Sequence, residues 1–229
     1  DEHVATAQFM MYDVENNQLK NIDVPQTYMS FGAPINGRLS MMEWSEEGNI
    51  GACYVMDRGC TRADIYIIDP LTCSARLLFT ETSDTFLFFD HHHILNAGSP
   101  DTSDFSAKTF VISEKLNKLF WLSEREGQFD IYDYDLDTAE CRRLTDTDCC
   151  VRQLLYLDDE KNILYYSASG REPNVNIYQR YIYNVDLDSL EVKLMSHEKG
   201  DHNAFFAPEG VYFVASISAY DNPPAHRIF

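Results

Sequence analysis

The sequence predicts an all-β chain of the β-propeller class, and three observations carry that expectation. First, a strand, an acidic turn and the start of a second strand recur at Phe9–Asn17, Asp64–Thr72, Asp130–Thr138 and Tyr181–Ser189. The copies lie roughly fifty to sixty-odd residues apart, a spacing that suits propeller blades rather than helical repeats. Second, another landmark precedes the tyrosine-rich strands: an apolar strand, an acidic hairpin turn and an apolar strand. It reads Leu39–Ser45 then Ile50–Met56, Phe110–Ser113 then Lys118–Ser123, Leu155–Leu157 then Ile163–Ala168, and Phe205–Phe206 then Val211–Ser216. Third, no segment sustains a helical period. The nearest, Thr138–Leu144, is too short and belongs to the repeat.

Each element follows from local chemistry. Ala5–Tyr12 reads as a strand, Glu15-Asn16-Asn17 as a turn and Gln18–Val24 as the return strand. Asp and Asn suit such turns because their side chains bond nearby backbone. Pro25, Gly32, Pro34 and Gly37 mark a connection. Four strands in succession then make one blade, with Ala63–Ile68 third and Ser74–Thr80 fourth. The landmarks give a partial blade over 1–24, blades over 37–80, 85–145 and 150–198, and a partial blade over 200–229. Within the second full blade, residues 90–108 read as an inserted loop. It follows the apolar Phe86-Leu87-Phe88-Phe89, opens on Asp90-His91-His92-His93 and runs on in Gly, Ser, Pro and Asp. Loops longer than the strands need are often functional.

Composition bounds the function. A net charge of -19 lacks the basic footprint of a nucleic-acid binder and disfavours anionic membrane surfaces. No apolar run approaches the roughly twenty residues of a membrane span. The chain opens without an initiating Met, which reads as missing upstream sequence, so the lack of a signal peptide says little about compartment. The cytoplasm stands slightly ahead of export. Cys53, Cys60, Cys73, Cys141, Cys149 and Cys150 form no CxxC pair, so no zinc and no other cofactor is expected. The cysteines read as buried thiols, with a Cys141–Cys149 pairing the alternative in an oxidising compartment.

The search for chemistry is mostly negative. No G-x-S-x-G nucleophile elbow occurs. His91 and His93 could converge from alternate strand positions, but an exposed loop is the simpler account of them. The turns Asp135-Leu136-Asp137 and Asp186-Leu187-Asp188 lack the glycine and distal glutamate of a calcium loop. Arg125, in Ser123-Glu124-Arg125-Glu126-Gly127, is the most interesting single charge. Presented from a turn, it could bind a carboxylate bidentately. A salt bridge within the blade, to Glu124 or Glu126, is the other reading.

Three passages together resemble a known family: Thr80-Glu81-Thr82-Ser83-Asp84-Thr85, Trp121-Leu122-Ser123-Glu124-Arg125-Glu126-Gly127 and Ile131-Tyr132-Asp133-Tyr134-Asp135. They look like the N-terminal propeller of dipeptidyl peptidase IV-like serine peptidases, of the prolyl oligopeptidase clan. Gly200-Asp201-His202, Phe206, Tyr212-Phe213-Val214, Ser216, Ser218 and Pro223-Pro224 are similar to that propeller's last blades. The resemblance implies about three full four-stranded blades plus partial ones, an arc of an eight-bladed propeller that filters peptides for an α/β-hydrolase domain. It implies an exopeptidase releasing N-terminal dipeptides, whose catalytic residues lie outside this chain, so that the chain alone is expected to be inactive. It implies peptide substrates and the hydrolase domain of the same polypeptide as partners, with a homodimer open. The substrate-cavity candidates are Phe86, Phe88, Asp90 and His91, beside Arg125. Two departures weaken the match: Phe86 stands where the family has Trp, and Cys149-Cys150 where it often has Trp-Glu. The alternative is a propeller used as a protein-interaction platform, with no peptidase attached.

Overall fold

The structure, a computed structural model, describes residues 6–28, 42–87, 110–146 and 149–229. Strands and turns account for the regular structure, with no helix among the described residues. At the start, β1 (Thr6–Ala7) pairs with β4 (Thr27–Tyr28), and β2 (Met10–Asp13) with β3 (Gln18–Asn21). Three four-stranded sheets follow. The first holds β5 (Met42–Trp44), β6 (Gly51–Met56), β7 (Arg62–Ile68) and β8 (Ala75–Thr82). The second holds β9 (Phe110–Ser113), β10 (Lys118–Ser123), β11 (Asp130–Asp135) and β12 (Cys141–Arg143). The third holds β13 (Cys150–Asp158), β14 (Ile163–Ser169), β15 (Arg180–Asp186) and β16 (Val192–Leu194). Last come β17 (Asp201–Phe206), β18 (Phe213–Ala219) and β19 (Asn222–Ile228) in a three-stranded sheet. In all four sheets chain neighbours are sheet neighbours, which is the meander of a propeller blade.

One expected strand is divided. Ala5–Tyr12 reads as continuous, but β1 and β2 are separate and pair with different partners. Phe9, between them, is buried, and its carbonyl accepts the Ile22 N–H at 3.1 Å, one step beyond the Met10–Asn21 pair, so it stays with the β2–β3 hairpin while β1 pairs with β4.

The tyrosine-rich repeat closes each sheet on the same device. Asp69 accepts the N–H groups of Leu71 and Thr72 and the Thr72 hydroxyl at 2.8–3.3 Å. Asp135 does the same for Asp137 and Thr138 at 3.0–3.1 Å, and Asp186 for Asp188 and Ser189 at 2.8–3.1 Å. Bonds from the residue three positions on are the leading reason all three carboxyls sit below the ordinary aspartate range. The next residue in each turn is left-handed without being glycine: Cys73 (φ 58°), Ala139 (φ 58°) and Leu190 (φ 60°). These turns also anchor neighbouring sheets. The Arg76 guanidinium on β8 donates to the Leu136 carbonyl, and Arg142 Nη2 on β12 donates to the Leu187 carbonyl at 2.9 Å.

The chain divides into two compact units. The first comprises Asp1–Ile94, Ile112–Leu119 and Asp135–Glu140. Its centre is β6, buried along its whole length, because a middle strand of small and apolar residues can be covered on both faces. The second comprises Leu95–Val111, Phe120–Tyr134 and Cys141–Phe229. Its core includes Ile182, Ala204, Phe213, Ala215 and Ile217, with Leu155, Met195 and Phe206 packed against them. An aromatic run joins β13, β14 and the last sheet: Tyr156 stacks on Phe206 at 5.3 Å, Phe206 on Phe213 at 4.8 Å and Phe213 on Phe229 at 5.0 Å. Gly210 (φ 64°) lets the β17–β18 turn lie on the Tyr156 ring, which a Cβ there would strike.

All six cysteines are free thiols. Cys53, Cys60, Cys73 and Cys149 are buried and Cys150 is half-buried, but Cys141 is exposed. The expectation of buried thiols therefore fails at Cys141. It starts β12, an edge strand of its sheet, which among the described residues has a neighbour on one side only.

Candidate functional site

The sequence candidates divide by position. Phe88, Asp90 and His91 lie outside the described residues. Phe86 is 40 % exposed, while Leu87 beside it is buried and donates its N–H to the Cys60 carbonyl at 2.6 Å. The structure thus leaves Phe86 and Arg125 as the described candidates, one in each compact unit.

Arg125 occupies the turn between β10 and β11, and the second unit holds it from several sides. Ser123 Oγ accepts from its N–H at 3.2 Å and from Nε at 2.9 Å, so the turn folds back on its own side chain. Nη2 donates to the Tyr134 hydroxyl at 2.6 Å, and Nη1 lies 4.0 Å from Cys141 Sγ. The guanidinium carbon sits 4.3 Å over the Tyr132 ring centroid and 5.8 Å from that of Tyr134. Tyrosines two apart on β11 share a strand face, so the repeat that builds the sheet also builds a cation platform. Burial raises the Tyr134 hydroxyl above the ordinary tyrosine range, against the lowering effect of Arg125. The phenol therefore stays protonated at neutral pH.

A polar layer continues from that platform. Asp130, fully buried, accepts Arg143 Nη2 at 2.5 Å and the Thr145 hydroxyl at 2.9 Å. Burial nonetheless holds its carboxyl above the ordinary range. In the loop after β14, Arg171 Nη1 pairs with Asp146 at 3.2 Å, and the guanidinium carbon lies 5.9 Å from the Tyr183 ring centroid. The Tyr183 hydroxyl donates to Glu172 at 3.0 Å. Burial pushes the Cys149 thiol up to about 11, so it stays un-ionised. The Tyr132 and Tyr166 hydroxyls and Arg143 Nε are buried without a partner among the described residues. The layer is made of ion pairs, phenols and a protonated thiol, a chemistry that binds and orients.

Asp130, Arg143, Asp146 and Arg171 escape sequence reasoning. Their signal is a charge placed beside strand residues that are otherwise apolar or aromatic. Asp130 opens the tyrosine-rich strand, but its partner Arg143 is thirteen residues away, and only the β11–β12 register reveals the pair.

Comparison with known proteins places this architecture. The family model described as "Dipeptidyl peptidase IV (DPP IV) N-terminal region" matches residues 2–224. Dipeptidyl peptidase 4 of Porphyromonas gingivalis superposes with a TM-score of 0.69 at 17% identity, over 96% of this chain and 27% of that one. A Bacteroides ovatus protein described as a dipeptidyl aminopeptidase IV gives 0.65 at 12% identity, over 95% of this chain and 30% of that one. TolB of Acinetobacter baumannii gives 0.54 at 17% identity, over 96% of this chain and 45% of that one. The chain thus spans under a third of the two dipeptidyl peptidases, and at these identities the likeness is one of fold. No curated protein sequence matches it closely. With the model matched almost from end to end, the chain belongs to the family of dipeptidyl peptidase IV N-terminal regions, a peptidase-associated β-propeller.

Proposed function

We propose that this chain is the substrate-gating part of the propeller of a dipeptidyl peptidase IV-like serine exopeptidase, one that releases dipeptides from peptide N-termini. The observation that carries the reading is the family match over residues 2–224. Phe86, Phe88, Asp90, His91 and Arg125 are its cavity-lining candidates. The Arg125 geometry supports its place among them: a guanidinium propped on two tyrosine rings is a pre-oriented cation that needs little ordering when a peptide arrives. Catalysis would belong to an α/β-hydrolase domain of the same polypeptide, because the 229 residues contain no nucleophile elbow.

The test uses a Gly-Pro chromogenic reporter. The purified 229-residue chain is expected to release no chromophore. The complete polypeptide of the parent gene is expected to release it, and Phe86→Ala or Arg125→Met in that polypeptide should raise KM several-fold with kcat little changed. Turnover by the chain alone, or a complete polypeptide that binds partner proteins but cleaves no peptide, would overturn the reading in favour of an interaction platform.

A further inference from the structure

Strand β13 departs from regular pairing twice. Its register with β14 slips between Val151 and Gln153 and again between Leu154 and Tyr156, so Arg152 and Leu155 are the extra residues of two bulges. A bulge places two successive side chains on one face, where a regular strand would separate them. The contacts agree. Gln153 accepts from the Ser167 hydroxyl at 3.4 Å, and Arg152 Nε donates to the Ser169 hydroxyl at 2.8 Å, two serines on one face of β14. Leu155 packs on the cluster around Ala204, and Tyr156 stacks on Phe206. The second bulge thus fills a core. The first delivers a cation.

That cation differs from most arginines of its unit. Arg142, Arg143, Arg171, Arg180 and Arg227 each have a carboxylate within 3.2 Å. Arg152 is half-buried, and among the described residues its one polar partner is Ser169 Oγ. A partly desolvated guanidinium without a counter-charge is costly, and the more so in a chain with 37 acidic residues against 18 basic ones. With Nε committed to Ser169, the Nη1–Nη2 edge is left as a fork of the kind that grips a carboxylate with two parallel bonds. In propellers the first strand of a blade runs nearest the central channel, and β13 is the first strand and free edge of its sheet.

We propose that Arg152 is a carboxylate-recognition residue, delivered by the first bulge of β13 and aimed by Ser169, for the acidic side chain or C-terminal carboxylate of a peptide in the channel. The peptide source rests on the function proposed above. The same chemistry could be met by a carboxylate from elsewhere in the same polypeptide, and the test separates the two.

The 229-residue chain, labelled with 15N, is titrated while its arginine Nε–H signals are followed. The Arg152 signal is the one missing from Arg152→Met. The probes are sodium acetate at constant ionic strength, the peptide Gly-Pro-Glu-Glu, and its amidated analogue Gly-Pro-Gln-Gln. Acetate should shift the Arg152 signal, and the acidic peptide should do so at concentrations about tenfold below the neutral one. Arg152→Met should abolish that preference. Arg152→Lys, which keeps the charge and loses the fork, should weaken it several-fold, and Arg227→Met should leave it intact. A signal that neither acetate nor acidic peptide moves, or a preference that survives Arg152→Met, overturns the proposal. A shift with acetate and none with either peptide keeps the carboxylate site, assigns its ligand to the same polypeptide, and counts against the peptide-gating reading instead.

Discussion

His202 is a buried imidazole held by one hydrogen bond, Nε2 to the Glu198 carbonyl at 2.7 Å, with its ring 5.0 Å from that of Tyr181. Nδ1 is buried without a partner among the described residues. That arrangement suits the neutral ring with Nε2 protonated. Burial lowers the imidazole below its ordinary value near 6.5, although the Glu198 carbonyl and Asp201 pull the other way. The sign follows by linkage: between the two values the unfolded chain binds a proton that the folded chain does not. Its contribution is therefore full above about pH 6.5 and is lost as the pH falls through that window. Urea unfolding at pH 7.5 and 5.5 should show a loss on acidification that is smaller in His202→Gln, by up to about 1 kcal/mol. An equal loss in both proteins would assign the acid sensitivity to other groups.

The turns that close the sheets are the clearest case of an element written in sequence, and also of what sequence hides. Asp135 and Thr138 announce the turn, because an Asp at the strand end followed by a hydroxyl three residues on is a local backbone-bonding pattern. Nothing in Ala139 or Leu190 announces a left-handed backbone, a state most readily taken by glycine. A non-glycine residue there is strained by about 1 kcal/mol. Ala139→Gly should therefore raise stability by about 0.5–1 kcal/mol, whereas Thr138→Gly, at a position with no positive φ and with a hydroxyl bonded to Asp135, should lower it. Thermal unfolding of the two variants decides. Likewise β11 and β15 were legible from their alternating tyrosines, and β10 and β14 as the apolar strands that follow an acidic hairpin turn. The bulges of β13 were not, since the run Cys150–Asp158 looks regular until its partner fixes the register. The arginine anchors did leave a trace. The seventh residue after the turn aspartate is basic in all four copies: Lys20, Arg76, Arg142 and Lys193. Its meaning was hidden because the two arginines grip main-chain carbonyls, which have no letter in a sequence.

At the scale of the whole molecule, the dominant fact is charge. A net of -19 is self-repelling, and the ion pairs on the surface, such as Arg227 with Glu198 at 2.9 Å, cover few of the acids. Salt screens exposed charges beyond roughly 10 Å at 0.1 M, so repulsion summed over the surface should weaken before the short pairs do. The melting temperature should accordingly rise by roughly 2–5 °C between 10 and 300 mM sodium chloride, read by calorimetry. A flat or falling curve would mean that close pairs such as Arg180 with Asp201, rather than the net charge, govern the response.

The anchoring of Leu136 and Leu187 by Arg76 and Arg142 also bears on how such a chain can change over time. A carbonyl is supplied by every residue type, so the anchored turn is free to exchange its side chains without releasing its neighbour. The two anchored turns, Asp-Leu-Asp-Thr-Ala and Asp-Leu-Asp-Ser-Leu, already differ at their last two positions, while the arginine on the adjacent sheet keeps its grip on the leucine carbonyl of each. A fold fastened in this way can retain its shape when 17% of its residues match.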